Sequence, residues 1–427
     1  MLKPDIAIHS SKRFDLVVVG TGPAGLAAAA EVAHCNGSVI VFDEGPFPGG
    51  RLRAQMHEEP AATGIRRRKW FNGSQQADRL VNEATSAGAE ISCGVSVWGV
   101  FPGWYVAVAP VDGRNRCPAG IEARALVIAT GAVQNPVPLK GWTLAGVITA
   151  GAAQTLLNVY HVLPGRRAVV IGTDPLALSV ARLLALVGAD VQGVFLPPPN
   201  GIQFGPCSTR SAVAELVRLS AFAASRRLSI LGRLAACGSG LAARCFPRRG
   251  LDGGGFPLRL RQAAIAVEGT RQVESVRVAP LNSDGNVKTT HTTRVAADVV
   301  VTSGGLSPLS ELAQLTGCPL VFISKLGGWV PLHGAKFETP VPGVFVAGSM
   351  TGVEGAGVAE AQGRLAGSAA AAYLGLIGQP EMKARAARFR AMEQTARQGA
   401  IAFYRDIAGG RARMARYWKL QARKQEN

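Results

Sequence analysis

The sequence of 427 residues holds no apolar run of the roughly 18 residues that a membrane-spanning helix needs. Ahead of its first strand-like stretch, MLKPDIAIHSSKRFDLVVVG has no apolar core of about 7–15 residues, so no secretory leader is expected. Cysteine is scattered. Cys35, Cys93, Cys117, Cys207, Cys237, Cys245 and Cys318 form no CxxC or CxH pair. That spacing argues against a zinc or iron–sulfur ligand set and against a redox-active dithiol. No metal site is expected, and the thiols read as reduced ones in a cytoplasmic protein, with contact to the inner face of a membrane left open. Acidic residues are outnumbered, 28 against 46 Lys and Arg, for a net charge of +18. Such a balance can serve nucleic acid or an anionic membrane surface. Its distribution says otherwise. Residues 378–427 carry twelve Lys and Arg against four Asp and Glu, and a second basic knot is IRRRKW at 65–70. Without an RNA- or DNA-binding motif these residues point to acidic partner surfaces or an anionic cofactor, and nucleic acid is not expected. Trp70 in that knot reads as a half-buried anchor or as a ring to stack on an adenine or a partner. A nucleophilic Ser/His/Asp or Cys/His set is also missing, and His34, His57, His161 and His291 form no cluster. His333, in WVPLHGAK, lies near a late strand, and its ordinary reading is a satisfied loop histidine.

What the chain does have is a repeated strand, glycine turn and helix. Hydrophobic residues reach 48% and glycines number 52, over a length that suffices for two or three cores. DLVVVG (Asp15–Gly20), the small-residue helix AGLAAAAEVA and SVIVFDE (Ser38–Glu44) read as a βαβ unit, to whose sheet RALVIATG (Arg124–Gly131) returns. Near Gly165 the plan restarts in RRAVVIGTDPLALSVARLLALVGADVQGVFL. A late strand, GVFVAGS (Gly343–Ser349), leads into a helix rich in Ala and Gly. The expected fold class is therefore α/β with two Rossmann-like dinucleotide-binding domains, the second inserted in the first. The expected boundaries are 1–160 and 319–378 for the two parts of the first domain, and 161–318 for the second. Residues 379–427 read as a basic helical tail, in which Phe389, Met392, Ala396, Ala400, Phe403 and Ile407 recur at spacings of three and four. That is one face of an amphipathic helix, suited to docking or to packing on its own domain.

GTGPAG places Gly20, Gly22 and Gly25 in the G-x-G-x-x-G spacing, after a strand and at the start of a helix. The first glycine makes the tight turn, the second lets a pyrophosphate approach the backbone, and the third lets helix and strand pack closely. Pro23 and Ala24 open the helix, whose free N–H groups and dipole favour phosphate. Asp43 lies 18 residues after Gly25, where a carboxylate can accept from ribose hydroxyls. NAD and FAD both satisfy this fingerprint. The later ALVIATGA and GVFVAGSMTG, strands that end in small-residue turns, favour the flavoprotein plan.

The second turn departs from that pattern. Gly172-Thr173-Asp174-Pro175-Leu176-Ala177 lacks glycine at the second and third motif positions. A carboxylate at Asp174 repels a pyrophosphate, and a side chain there blocks the backbone. Pro175 is compatible with a helix's first turn, so the fold survives where the site does not. The following strand, DVQGVFLPPP, ends without a ribose-binding acid. Electrons from a nicotinamide are not expected.

The stretches VVVGTGPAGLAAA, VFDEGPFPGGRLR, LVIATGAVQNPVPLKGWTLAGVITAGAAQTLL, SGGLSPLSELAQLTG and GGWVPLHGAKFETPVPGVFVAGSMTG lie within residues 14 to 375. Through them the chain resembles the glutathione-reductase-like flavoproteins with two dinucleotide-binding domains. More narrowly, it is similar to the FAD-binding α subunits of heteromeric dye-linked amino-acid and opine dehydrogenases. That group includes octopine and nopaline dehydrogenases, D-hydroxyproline dehydrogenase, hydrogen cyanide synthase and part of the sarcosine oxidase α subunit. The GWTLAGVITAGAAQTLL and GLSPLSEL segments are the most specific. The resemblance implies FAD at Gly20, Gly22, Pro23, Ala24, Gly25, Asp43, Glu44, Gly50, Arg51, Ala129, Thr130, Gly131, Gly348 and Ser349, with the backbone near Val97 beside the adenine. Where such flavoproteins end the late strand in Gly-Asp, this chain has Gly348-Ser349, which leaves room for an ADP- or ATP-like ligand.

The resemblance also implies an oxidoreductase subunit, with the C–N bond of an amino acid or opine oxidised in a partner β flavoprotein of amino-acid-oxidase type. Electrons would pass on to a carrier or the respiratory chain, with peripheral contact to a membrane or an electron carrier left open. FMN at an interface with the partner is compatible with it. A [2Fe–2S] cluster, if the assembly has one, belongs on another small subunit, because no cysteine follows Cys318. Two rivals stay open: a self-contained NAD(P)H-dependent FAD oxidoreductase, and a nucleotide-binding scaffold subunit.

Overall fold

The computed structural model describes residues 12–58, 70–113, 117–198, 206–219, 239–282, 285–399 and 403–426. Most of the basic knot at 65–70, with Cys237 and Ala400, lies outside them; Trp70 is described and exposed. The chain divides into two compact units. The first comprises Met1–Leu52, Ser74–Val133 and Ser307–Asn427, the second Arg53–Gly73 and Gln134–Leu306. One unit is inserted in the other, at junctions that differ from the expected 160/161 and 318/319.

In the first unit the sheet runs in the order Glu90–Cys93, Val39–Asp43, Arg13–Val19, Gly120–Ile128, Tyr105–Pro110, Val95–Phe101. The late strand Val344–Val346 pairs in parallel with the C-terminal half of Gly120–Ile128. Leu16, Val17, Val18 and Val19 are all buried, as expected for a parallel strand covered on both faces. Helix Pro23–Ala33 is buried from Ala24 to Ala33. Its small residues let helix Ala356–Tyr373 approach so closely that a Cβ at Gly363 would lie 2.0 Å from the Ala24 carbonyl oxygen. Arg364 of that second helix is buried among Glu31, Glu83 and Glu360, at 3.1, 2.7 and 3.0 Å.

The C-terminal segment forms two helices, Gln379–Gly399 and Ile407–Glu426, in place of the single amphipathic helix expected through Ile407. Around the break, Asp406 takes a positive φ of 55° and its carboxylate accepts from the Gly409 N–H at 3.0 Å. The three-and-four spacing continues across this break, so periodicity alone cannot reveal it. Both helices pack on the first unit. Met382, Ala386 and Phe389 are buried on one, and Ile407 and Met414 of the other join Ile323, Leu326, Val330 and Leu332 in a small core.

The second unit is built on the order Val147–Thr149, Val299–Thr302, Arg167–Ile171, Asp190–Leu196, Pro257–Glu268, Ser275–Pro280, Thr293–Ala296. Its first five strands are parallel and the last two extend it as an antiparallel edge. Apolar clusters cover both faces.

Candidate functional site

The first glycine turn is shaped as its residue types demand. Gly20 has φ +102°, and a Cβ there would sit 2.4 Å from the Ala129 carbonyl oxygen. At Gly25 a Cβ would lie 1.8 Å from the Gly20 oxygen, so only glycine lets the helix approach its turn. Gly22 differs, because no atom lies within 4 Å of its Cβ position. It is also the N-cap of helix Pro23–Ala33, whose first N–H groups receive no side-chain cap. The Cβ position of Gly131, φ +81°, is likewise free of atoms within 4 Å. Gly50 closes the other side, with its Cβ position 3.2 Å from the Gly22 Cα. An uncapped helix start beside two open glycines fits an anionic dinucleotide.

Asp43 is held rather than loose. Its Oδ2 accepts from Thr21 N at 2.7 Å and Thr21 Oγ1 at 2.6 Å, and its Oδ1 accepts from Gly45 N at 2.7 Å. Thr21 is the residue that motif reading passed over. It ties the glycine turn to the end of the second strand, and its hydroxyl oxygen also accepts from Gly49 N at 3.1 Å. Arg51 is solvent-exposed, yet desolvation draws its guanidinium pKa down against the charge of Glu44. Val97 is paired with Val108 at an irregularity of the Val95–Phe101 strand. Ala129 N donates to the Val19 oxygen at 2.8 Å, and Thr130 Oγ1 donates to the Leu309 oxygen at 2.6 Å. Gly348 abuts the first turn, its Cβ position 2.8 Å from the Ala24 Cβ, and the neighbouring Ser349 is half-buried.

The second turn repeats this geometry residue by residue. Gly20 N donates to the Phe42 oxygen at 2.7 Å and Gly172 N to the Phe195 oxygen at 2.9 Å. A Cβ at Gly172 would meet the Ser303 oxygen at 2.4 Å, the distance found for Gly20 and Ala129. Asp174 therefore stands where Gly22 stands. It caps helix Pro175–Leu186, accepting from Leu176 N at 2.9 Å and Ala177 N at 3.0 Å. Burial pushes its carboxyl upward, against the Ser303 side chain and the N–H groups of Ala177, Leu176 and Gly305. The donors a phosphate would use are already occupied. Register adds a second closure. Val19 faces Phe42 and Ile171 faces Phe195, so Leu196, fully buried, holds the place of Asp43. Thr173, the counterpart of Thr21, is left with a buried hydroxyl that has no hydrogen-bond partner.

His333 is buried and satisfied. Its Nδ1 lies 3.0 Å from the Gly334 oxygen and its Nε2 3.3 Å from Arg411 Nη1. Burial, helped by the Arg411 charge and opposed by the Gly334 carbonyl, pushes the imidazole down to about 3. The ring is neutral, with Nδ1–H donating and Nε2 accepting. An unfolded chain protonates this histidine near 6.5 while the folded one does not. Its stability contribution is whole above that pH and is lost as pH falls toward 3, at up to about 1.4 kcal/mol per pH unit. As pH falls from about 6.5 to 4.5, the unfolding free energy of the wild type should drop more steeply than that of His333→Gln; equal slopes would refute this assignment.

Among the described residues no group of three or more His, Cys, Asp or Glu is placed to hold a metal ion. Burial pushes the Cys318 thiol up to about 12, which makes it inert. No helix among the described residues is long and apolar enough to cross a membrane.

Residues 14–195 match the family described as pyridine nucleotide-disulphide oxidoreductase. The chain is 31% identical over 379 residues to the A subunit of opine oxidase from Rhizobium meliloti (strain 1021), covering 88% of this chain and 74% of that protein. It is 27% identical over 356 residues to the HcnB subunit of hydrogen cyanide synthase from Pseudomonas aeruginosa, with 82% and 69% covered. Among solved structures, L-proline dehydrogenase from P. horikoshii shares the fold, with a TM-score of 0.60 at 20% identity. That match covers 90% of this chain, which spans 60% of the length of the proline dehydrogenase chain.

Proposed function

The chain belongs to the family of the opine oxidase A subunit, and from that premise we propose that it is the FAD-binding member of a heteromeric dehydrogenase acting on the C–N bond of an amino acid or opine. Bound FAD would supply the capacity to accept electrons and pass them on. Gly20, Gly22 and Gly25 let the pyrophosphate reach the start of helix Pro23–Ala33, where Pro23 and Ala24 leave the N–H groups free. Asp43, held by Thr21, and Glu44 would hold the ribose, the backbone near Val97 would lie beside the adenine, and Gly50, Arg51, Ala129, Thr130, Gly131, Gly348 and Ser349 would hold the rest. In this reading the oxidation of substrate belongs to a partner flavoprotein.

One observation carries this reading, the contrast between the two glycine turns. The first leaves its helix start open at Gly22, while the second fills it with Asp174 and replaces the acid with Leu196. An open site for one dinucleotide and a closed one for the other favours a subunit that does not draw electrons from NAD(P)H. The test is the visible spectrum of the purified chain, recorded anaerobically before and after NADH or NADPH. A flavin spectrum that neither nucleotide bleaches is expected. Rapid bleaching would make the chain a self-contained reductase, and a colourless protein that binds ADP or ATP would make it a scaffold.

A further inference from the structure

Arg411, on helix Ile407–Glu426, directs its whole guanidinium at one turn. Its Nε and Nη2 donate to Glu354 Oε1 at 3.0 and 2.6 Å, its Nη1 donates to the Thr351 carbonyl oxygen at 2.9 Å, and its Nη2 reaches Thr351 Oγ1 at 3.2 Å. Nη1 also lies 3.3 Å from His333 Nε2. Glu354 is 3% exposed and receives a second cation, Arg397, from helix Gln379–Gly399. Burial works against the Glu354 charge, but Arg411 and Arg397 more than offset it and hold the carboxyl below its usual range. Gln362 completes the connection: its Nε2 donates to Glu393 at 3.0 Å and its Oε1 accepts from Gly348 N at 3.1 Å. Thr351 Oγ1 lies 2.9 Å from the Gly348 oxygen, to which it donates.

We propose that the two C-terminal helices are a clamp on the turn Gly348–Glu354, and that Arg411 is a positioning residue for the cofactor held at the first glycine turn. The clamped turn is the one that meets that site, since Gly348 packs on Ala24 and Ser349 follows it. A buried carboxylate and two arginines are a costly way to stabilise a surface helix. They are a good way to give a turn one conformation, because a planar guanidinium with several fixed partners tolerates little displacement. The clamp accounts for the basic C-terminal segment without a nucleic acid, since part of its charge is spent inside the protein. It rests on the proposed FAD reading, and it goes beyond it by assigning a role to residues that no glycine motif marks.

The test compares Arg411→Gln, Arg411→Lys and Arg413→Gln in the full chain, after removal and re-addition of FAD. FAD affinity is read by quenching of flavin fluorescence, and deuterium uptake is read over residues 348–354. Arg411→Gln should weaken FAD by about tenfold or more and raise uptake in that segment. Arg411→Lys should restore part of both, and Arg413→Gln, on an exposed residue bonded to Tyr417, should change neither. If wild-type FAD affinity survives in Arg411→Gln, the clamp is wrong and the FAD reading stands. If the wild type takes up no FAD, the FAD reading fails, and the positioning role fails with it. Should Arg411→Gln not fold, Arg397→Gln leaves Glu354 one cation and should show the same changes at smaller size; no change in either readout would overturn the proposal.

Discussion

Gly22→Asp is expected to abolish FAD binding and leave the protein folded. The molecule already contains the result of that exchange, at Asp174. Gly22 has φ −62° and ψ 175°, and Asp174 has φ −69° and ψ 166°, so the backbone accepts an aspartate without strain. The Cβ position of Gly22 is free of atoms within 4 Å. The new carboxylate would take the N–H groups of Ala24 and Gly25, as Asp174 takes those of Leu176 and Ala177. As an N-cap it should cost the fold nothing and add a few tenths of a kcal/mol over glycine. The ligand loses those donors, each worth about 1.5–3 kcal/mol to a charged group, and meets a like charge as well. Two such losses come to roughly 3–6 kcal/mol, or two to four powers of ten in affinity. The ratio of flavin to protein after reconstitution, together with the melting temperature of the apoprotein, checks both halves. A variant that remains as yellow as the wild type would place the dinucleotide elsewhere. The reverse exchange, Asp174→Gly, should not create an NADH site, because Leu196 and Ala177 remain.

Replacing Arg364 with methionine should destabilise the protein by about 3–5 kcal/mol, the cost of leaving buried charge without its partner. Arg364 sits between helices Pro23–Ala33, Gly73–Ser86 and Ala356–Tyr373, and its side chain is 11% exposed. Glu31 keeps Arg385 at 2.9 Å, and Glu360 keeps Arg79 at 2.6 Å, so the variant loses the centre of the cluster and not all of it. The hydrogen bond from Arg364 holds the Glu83 carboxyl below its usual range, against burial. The sign follows. That contribution is present above the ordinary value near 4.5 and fades as pH falls through the lowered one. Urea denaturation should show the full difference between wild type and variant near pH 7 and a smaller one near pH 3. A difference that does not change with pH would mean that lost packing, and not charge, is the cause.

The first glycine turn could be read directly because every part of it is local. Gly20, Gly22 and Gly25 serve a strand, a turn and a helix that follow one another, and Asp43 comes at the end of the next strand. The question raised by Asp174 was legible to the same degree: a carboxylate at a helix start repels phosphate wherever the rest of the chain goes. Its structural purpose, capping the helix it opens, follows from position as well. Leu196 was less legible. Only the strand register shows that it stands where Asp43 stands, and a leucine at the end of an apolar strand carries no signal of its own. The break between the C-terminal helices was hidden because the apolar spacing runs through it.

The sequence by itself determined an α/β chain with two dinucleotide-type units, one inserted in the other, an open first turn and an altered second one. These depend on residue period, on glycine conformation and on charge at a helix start, all of which act over a few residues. Only the tertiary structure decided that Arg364 joins three helices and that Arg397 and Arg411 reach back to Glu354. It also decided that the basic C-terminal segment lies folded on its own unit. Those pairs are 43 to 333 residues apart in the chain. Their energy comes from the low dielectric and fixed geometry that burial creates, and neither exists until the helices have packed.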